Sequence, residues 1–228
     1  MKVNVCGIVV ARDERLTLPY AINSLHGTDY IAVLDNPTGE VDNITGEAIH
    51  KIYAPKQDDQ NHIMNWQVIL DLIKQAALIA RQRGYEWVIR IDADETWYGF
   101  DLAIYHAIMN QCNIVNYTIK QWKPNKELVT EFDPGEDQDP CQIGDPLYLA
   151  PDGNFYERAW QVDTDNFNLG AGGHQILRAD RRVYQSLFDF NHYPAIDWQS
   201  FRKKLKRKYN QSEVKQKKWH IQYKGVEL

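Results

Sequence analysis

The sequence predicts an α/β fold: a mostly parallel, open, Rossmann-like sheet with helices on both faces. Three observations carry this reading. Residues 2–10, KVNVCGIVV, are β-branched and almost wholly apolar, as in a strand buried on both faces. Residues 61–83 repeat apolar side chains at intervals of three and four (Ile63, Trp66, Ile69, Leu70, Ile73, Ala77, Ala80), the mark of an amphipathic helix. Strand-like and helix-like segments alternate through the first half, the order that builds crossover units.

Each element follows in turn. After the first strand, ERLTLPYAINSL is helical in spacing, and Pro19 is tolerable only in a first turn, so this helix starts late. YIAVLDN is a second strand ending in Asp35 and Asn36, NPTGEVDNITGE reads as turn, and AIHKIYA is a third strand. The long helix over 61–83 ends at Gly84, with His62 and Asn65 at its start as caps or phosphate contacts. WVIRI is a fourth strand, FDLAIYHAIMNQC a helix and NIVNYTIKQW a strand. Residues 123–146 are acidic, rich in Pro and without a period, which reads as a long loop. FYERAWQV, GGHQILRA and SLFDFNHYP are short strands, with His174 in a flexible glycine turn, and DWQSFRKKLKRKY is a closing basic helix. The reading is a single domain over 1–228: a nucleotide-binding half (1–119), a smaller β portion with the long loop (120–195) and a basic helical tail (196–228).

The net charge of −5 conceals an asymmetry. Nine of the 26 Lys and Arg, but one of the 31 acidic residues, fall in 201–218, leaving 17 basic against 30 acidic residues elsewhere. The basic end suits an anionic partner, including peripheral contact with a membrane surface through 202–218. Cys6, Cys112 and Cys141 are few and widely spaced, without a zinc pattern or a disulfide framework, which implies a reducing cytoplasmic setting. The start of the chain reads as a strand rather than a signal peptide, and no apolar run reaches membrane-spanning length.

WVIRIDADETWY poses the sharpest question. Asp92, Asp94 and Glu95 lie within four positions just past the fourth strand. Like charges this close repel unless a cation or water intervenes. In open α/β sheets ligands bind beyond the carboxyl ends of the strands. Arg12-Asp13-Glu14, Asp35-Asn36 and Asp92–Glu95 all fall at such ends. In extended backbone Asp92 and Asp94 share a face, and two hard oxygen donors can hold Mg²⁺ or Mn²⁺ with positions open for phosphate. A solvated acidic turn is the competing reading. The aromatics of ETWYGF form either a wall against a sugar or base or ordinary packing.

VVARDERLTLPYAINSL, YIAVLDN, WVIRIDADETWY and FNHYPAIDWQSFRKKL together resemble the GT-A glycosyltransferases of the family 2 type, in the branch with DADE and NHYP motifs. The resemblance spans nearly the whole chain in order. It implies a GT-A-like fold and metal-dependent sugar transfer, with inversion, from a UDP- or GDP-linked sugar to a glycan, lipid or small-molecule acceptor, with no nucleic acid involved. It places Asp92, Asp94 and His192 at the metal, Asp94 and Glu95 among the catalytic carboxylates, and Arg12, Glu14, Asp35, Asn36, Asp92 and Lys203 around the nucleotide. The family's NE is Asp13-Glu14 here. Inversion needs a carboxylate base, for which Glu136, Asp137, Asp145, Asp163 and Asp165 are candidates; Arg12, Lys203 or Lys204 would meet the departing diphosphate.

Two rival classes stand beside this reading. Nucleotidyl transfer would want a glycine-rich phosphate loop after the first strand, and VVARDERL has none. A non-catalytic anion-binding protein would use the basic tail and leave the DADE cluster without a purpose.

Overall fold

All seven residues of strand β1 (Val5–Ala11) are buried, as its unbroken apolar composition requires. The computed structural model describes residues 3–55, 66–140, 156–170, 175–193 and 195–200. From β1 the chain passes through helix α1 (Leu18–Asn23), strand β2 (Tyr30–Leu34), helix α2 (Gly39–Ile44), strand β3 (His50–Tyr53), helix α3 (Trp66–Gln82), strand β4 (Trp87–Asp92), strand β5 (Glu95–Trp97), helix α4 (Phe100–Met109) and strand β6 (Ile114–Pro124). Strands β7 (Gln138–Pro140), β8 (Glu157–Gln161), β9 (Asn168–Gly170), β10 (Gln175–Leu177) and β11 (Val183–His192) follow.

Two compact units result. The first comprises Met1–Thr118 and Phe155–Phe190, the second Ile119–Asn154 and Asn191–Leu228. Residues 155–190, read from sequence as part of the smaller portion, belong to the first unit because β8 pairs with β4.

The expected α/β sheet is present, in the order β3-β2-β1-β4-β8-β6-β11-β5. Its parallel part is β3-β2-β1-β4. Beyond β4 it turns antiparallel, with β8 pairing both β4 and β6 that way. The order 3-2-1-4 has a physical consequence. The chain walks outward from β1 to β3, then returns to the other side of β1 as β4. The crossovers diverge between β1 and β4, which opens a crevice at their carboxyl ends.

Alternation along β1 sets the two faces. Cys6, Ile8 and Val10 join Ile69, Ile73, Ala76, Ala77 and Ala80 of α3 in the core. Gly7, on the opposite face, lies under Leu25 just past α1; a Cβ there would come within 2.8 Å of the Leu25 side chain. Pro19 occupies the first turn of α1, as its missing N–H requires. Gly84 ends α3 at φ +87°, a conformation that favours glycine.

Three stretches depart from expectation. Residues 39–44 form α2 rather than a turn: Thr38 caps the helix by accepting from the Val41 N–H, and Glu40 and Asp42 sit in its first turn. The residues after the acidic turn form β5 and are buried. The long acidic loop is partly ordered as strand, since β6 runs to Pro124 and β7 pairs back on it.

In the second unit, the Trp122 indole N–H donates to Asn191 Oδ1 at 2.9 Å, and the Trp122 ring stacks on Tyr193. Phe132 meets Tyr193 edge-on, and Lys126 pairs with the buried Asp137. Residues 198–200 are helical, with Asp197 accepting from the Ser200 N–H at 2.7 Å. The basic stretch 201–218, His62, Asn65, Cys141, Asp145, residues 171–174 with His174, Lys203 and Lys204 lie outside the described residues. Cys6 and Cys112 are free thiols. Among the described residues no helix is long and apolar enough to cross a membrane.

Candidate functional site

The carboxyl ends of β1, β2 and β4 are tied together by their own backbones. The Asp35 N–H donates to the Ala11 carbonyl at 2.9 Å, and the Ala93 N–H to the Val10 carbonyl at 2.9 Å. Three polar segments distant in sequence thereby share one edge. Arg12 lies 3.8 Å from the buried Asp35 carboxylate. Asn36 is exposed and left-handed at φ +49°, a conformation Asn tolerates better than most residues. Glu14 folds back on its own turn, its Oε2 accepting from the N–H groups of Arg12 at 2.8 Å and Asp13 at 3.2 Å.

The repulsion within the acidic turn is relieved mainly from inside the sheet. Arg90 is the single charged residue of the apolar WVIRI run and shares a face with Asp92. Its Nε and Nη2 donate to Asp92 Oδ1 at 3.0 and 2.9 Å, and Nη2 reaches Oδ2 at 3.0 Å. Arg158 comes from β8, whose register with β4 ends at Ile89–Ala159, so one step further brings it level with Arg90. Its Nη2 donates to Glu95 Oε1 at 2.6 Å and to Asp92 Oδ2 at 3.2 Å. Glu95 Oε2 accepts from the Asp92 N–H at 3.1 Å. Both guanidiniums and Glu95 are buried, while the Asp92 side chain is 21% exposed. Two guanidiniums thus face two carboxyl groups.

The quartet alters three expected roles. The Asp92 oxygens face guanidiniums rather than an open coordination position. Glu95, expected among the catalytic carboxylates, has a side chain only 1% exposed and both oxygens bonded, so it has no room to meet a substrate. Burial pushes its carboxyl upward while Arg158 pulls it back. Trp97 stacks on Phe190 at 4.4 Å and meets Tyr117 edge-on at 4.6 Å, so it is core packing, whereas Tyr98 is exposed.

Asp94 is half-buried. Glu14 is its electrostatic neighbour: burial first, then the Asp94 charge, pushes the Glu14 carboxyl up to about 7. A site where one carboxylate raises another is one that a cation would stabilise. These are two donors and not a closed cage; among the described residues no group of three or more His, Cys, Asp and Glu is placed to hold a metal ion. Two carboxylates suit a cation that takes its remaining ligands from water and phosphate, as Mg²⁺ does.

The other expected residues fall elsewhere. His192 ends β11 and is assigned to the second unit. Among the base candidates, Asp137 is buried against Lys126, Asp163 pairs with Arg178 at 2.7 Å and Asp165 pairs with Arg81. Glu136 is exposed. Arg90 was visible in the sequence as a lone charge in an apolar strand; Arg158 carried no such signal, because only the β4–β8 pairing brings it to the turn.

No protein-family profile and no curated protein sequence matches the chain. Among solved structures it is similar to S. aureus TarS. The 1–349 fragment with UDP gives a TM-score of 0.48 at 12% identity over 96% of this chain and 69% of that one. The same fragment with UDP-GlcNAc gives 0.45 at 13% identity over 96% and 70%. Against longer TarS the TM-score is again 0.45, with 42% of that chain covered. A likeness at this level bears on fold and carries no argument about function; the α/β assignment rests on the chain's own strand order.

Proposed function

We propose that this protein is a GT-A-type glycosyltransferase that moves a sugar, with inversion, from a nucleoside diphosphate sugar to an acceptor hydroxyl on a glycan, lipid or small molecule. One observation carries the reading. The 3-2-1-4 order puts Arg12, Glu14, Asp35 and Asp94 on one carboxyl edge at the switch between β1 and β4, where doubly wound sheets bind nucleotides.

In this reading Asp35 and Asn36 line the nucleoside pocket, and Arg12 faces the diphosphate. Asp94, with Glu14 beside it, would hold Mn²⁺ or Mg²⁺. When bound, the cation supplies charge that offsets the departing diphosphate. Asp92 orients the turn through its arginines. His192 and Lys203 are proposed as further groups toward the metal and diphosphate on the strength of the sequence resemblance. The acceptor proton goes to a carboxylate base, for which Glu136, Asp137, Asp145, Asp163 and Asp165 remain the candidates.

A second reading has one observation in its favour. With Asp92 and Glu95 neutralised by arginine, most of the acidic run is explained without a cation. The chain would then be an anion-binding protein acting through 201–218. Calorimetric titration with UDP and GDP, each with and without Mn²⁺, separates the two. Metal-dependent binding of one nucleotide, lost in Asp94→Ala with the fold intact, is the expected result. Absence of nucleotide binding under all four conditions, alongside salt-sensitive binding to anionic vesicles, would replace the first reading with the second.

A further inference from the structure

A cavity of about 500 Å³ opens at the amino-terminal edge of the sheet, a volume within the range of small-molecule sites. Asn4, Asp29, Tyr85, Asp101 and Tyr105 are among the residues that line it, and all belong to the first unit. Strand β1 runs seven residues from this edge to its carboxyl end, about 20 Å, so the cavity lies at the far end of the sheet from Arg12, Glu14 and Asp35. Its walls are fixed by bonds of their own. The Gly7 N–H donates to the Asp29 carbonyl at 2.8 Å, and the Glu86 N–H to the Asn4 carbonyl at 2.9 Å. The Tyr85 hydroxyl donates to Asp29 Oδ2 at 2.5 Å, and Asn4 Nδ2 donates to the Gly84 carbonyl at 2.8 Å.

The chemistry of the lining selects among ligands. Asp29 and Asp101 are exposed acceptors whose charge opposes an anion. The first turn of α4 lines the cavity through Phe100, Asp101 and Leu102, and Gly99 caps that turn without a side-chain hydrogen bond. The turn therefore offers N–H donors, for which a bare cation has no use. Leu102 and Tyr105 are 44% and 38% exposed, apolar surface left open to whatever enters. Tyr85 and Tyr105 each combine an apolar ring face with a polar tip. Acceptors, donors and amphipathic rings together fit a neutral polyhydroxylated ring, whose hydroxyls meet the carboxylates and N–H groups while its C–H face packs on tyrosine. We propose that this cavity is a saccharide-binding site separate from the nucleotide edge, with Asp29 and Asp101 accepting from sugar hydroxyls and Tyr105 supplying the packing face. A glycan would be held here whether or not the carboxyl edge binds a nucleotide.

The test titrates the full chain, by saturation-transfer NMR, with the methyl glycosides of glucose, galactose, mannose and N-acetylglucosamine and with lactose and chitobiose. Choline is the cationic comparison. At least one sugar should bind and should stay bound when UDP and Mn²⁺ are added. Tyr105→Ala and Asp101→Asn should each weaken that binding about tenfold, whereas Tyr105→Phe, which keeps the ring, should change it by less than about twofold. Met109→Ala, on exposed α4 surface outside the cavity lining, should leave it unchanged. No binding across the panel, displacement of the sugar by UDP, or equal affinity in every variant would overturn the site. Binding of choline in place of the sugars would overturn it in favour of a cation pocket. UDP binding by the same proteins is followed by calorimetry; its absence would count against the glycosyltransferase reading and leave the saccharide site standing.

Discussion

Glu14 should destabilise the protein it belongs to, and Glu14→Gln should therefore stabilise it above neutral pH. The carboxyl is half-buried beside Asp94, and its affinity for a proton rises from an ordinary value of 4.5 to about 7. For a carboxyl raised in this way, the folded state holds its proton more tightly than the unfolded state. The stability contribution is complete below pH 4.5 and is lost as pH rises to about 7. Each pH unit within that window is worth about 1.4 kcal/mol, or about 3 kcal/mol over the whole. Water at the half-buried group screens part of this, leaving about 1.5–2 kcal/mol. Glutamine has the same shape, and its carbonyl can accept the Arg12 and Asp13 N–H groups that Glu14 Oε2 now accepts. Urea unfolding at pH 4.5 and pH 8.5 checks the reasoning. The variant should match the unmodified chain at the lower pH and exceed it by about 1.5–2 kcal/mol at the higher. A variant that is less stable at pH 8.5, or shifted equally at both values, would refute it.

Other consequences follow from the same geometry. Arg158→Met leaves Glu95 buried without its 2.6 Å partner and should lower stability by about 3–5 kcal/mol, seen as a Tm lower by roughly 10 °C; a loss below about 1 kcal/mol would show the quartet to be slack. Gly7→Ala brings a Cβ to 2.8 Å from Leu25 Cδ1 and 3.0 Å from Tyr30 Cβ, for an expected loss of about 1–3 kcal/mol in denaturant unfolding. A neutral result there would mean that the packing of Leu25 onto β1 is loose.

Much of the fold was legible because local pattern and burial coincide. The β1 run is apolar throughout since both of its faces are covered, and α3 shows a helical period since one face meets the sheet. Helix α2 was missed because Thr38, Asp42 and Asn43 serve turns and helix caps equally well. Strand β5 was missed because three residues are too few for a period, and its place comes from pairing rather than from composition.

The candidate site divides in the same way. From the sequence alone, acidic and basic residues could be assigned to the ends of successive strands, since strand ends follow from local hydrophobic runs. That was enough to single out Arg12-Asp13-Glu14, Asp35-Asn36 and Asp92–Glu95 as strand-end clusters. Tertiary structure decided how those charges are shared. Arg158 stands 66 residues beyond Asp92, and no local pattern relates them. The antiparallel pairing of β8 with β4 brings the guanidinium to the acidic turn, because in a sheet neighbours are set by register and not by distance along the chain.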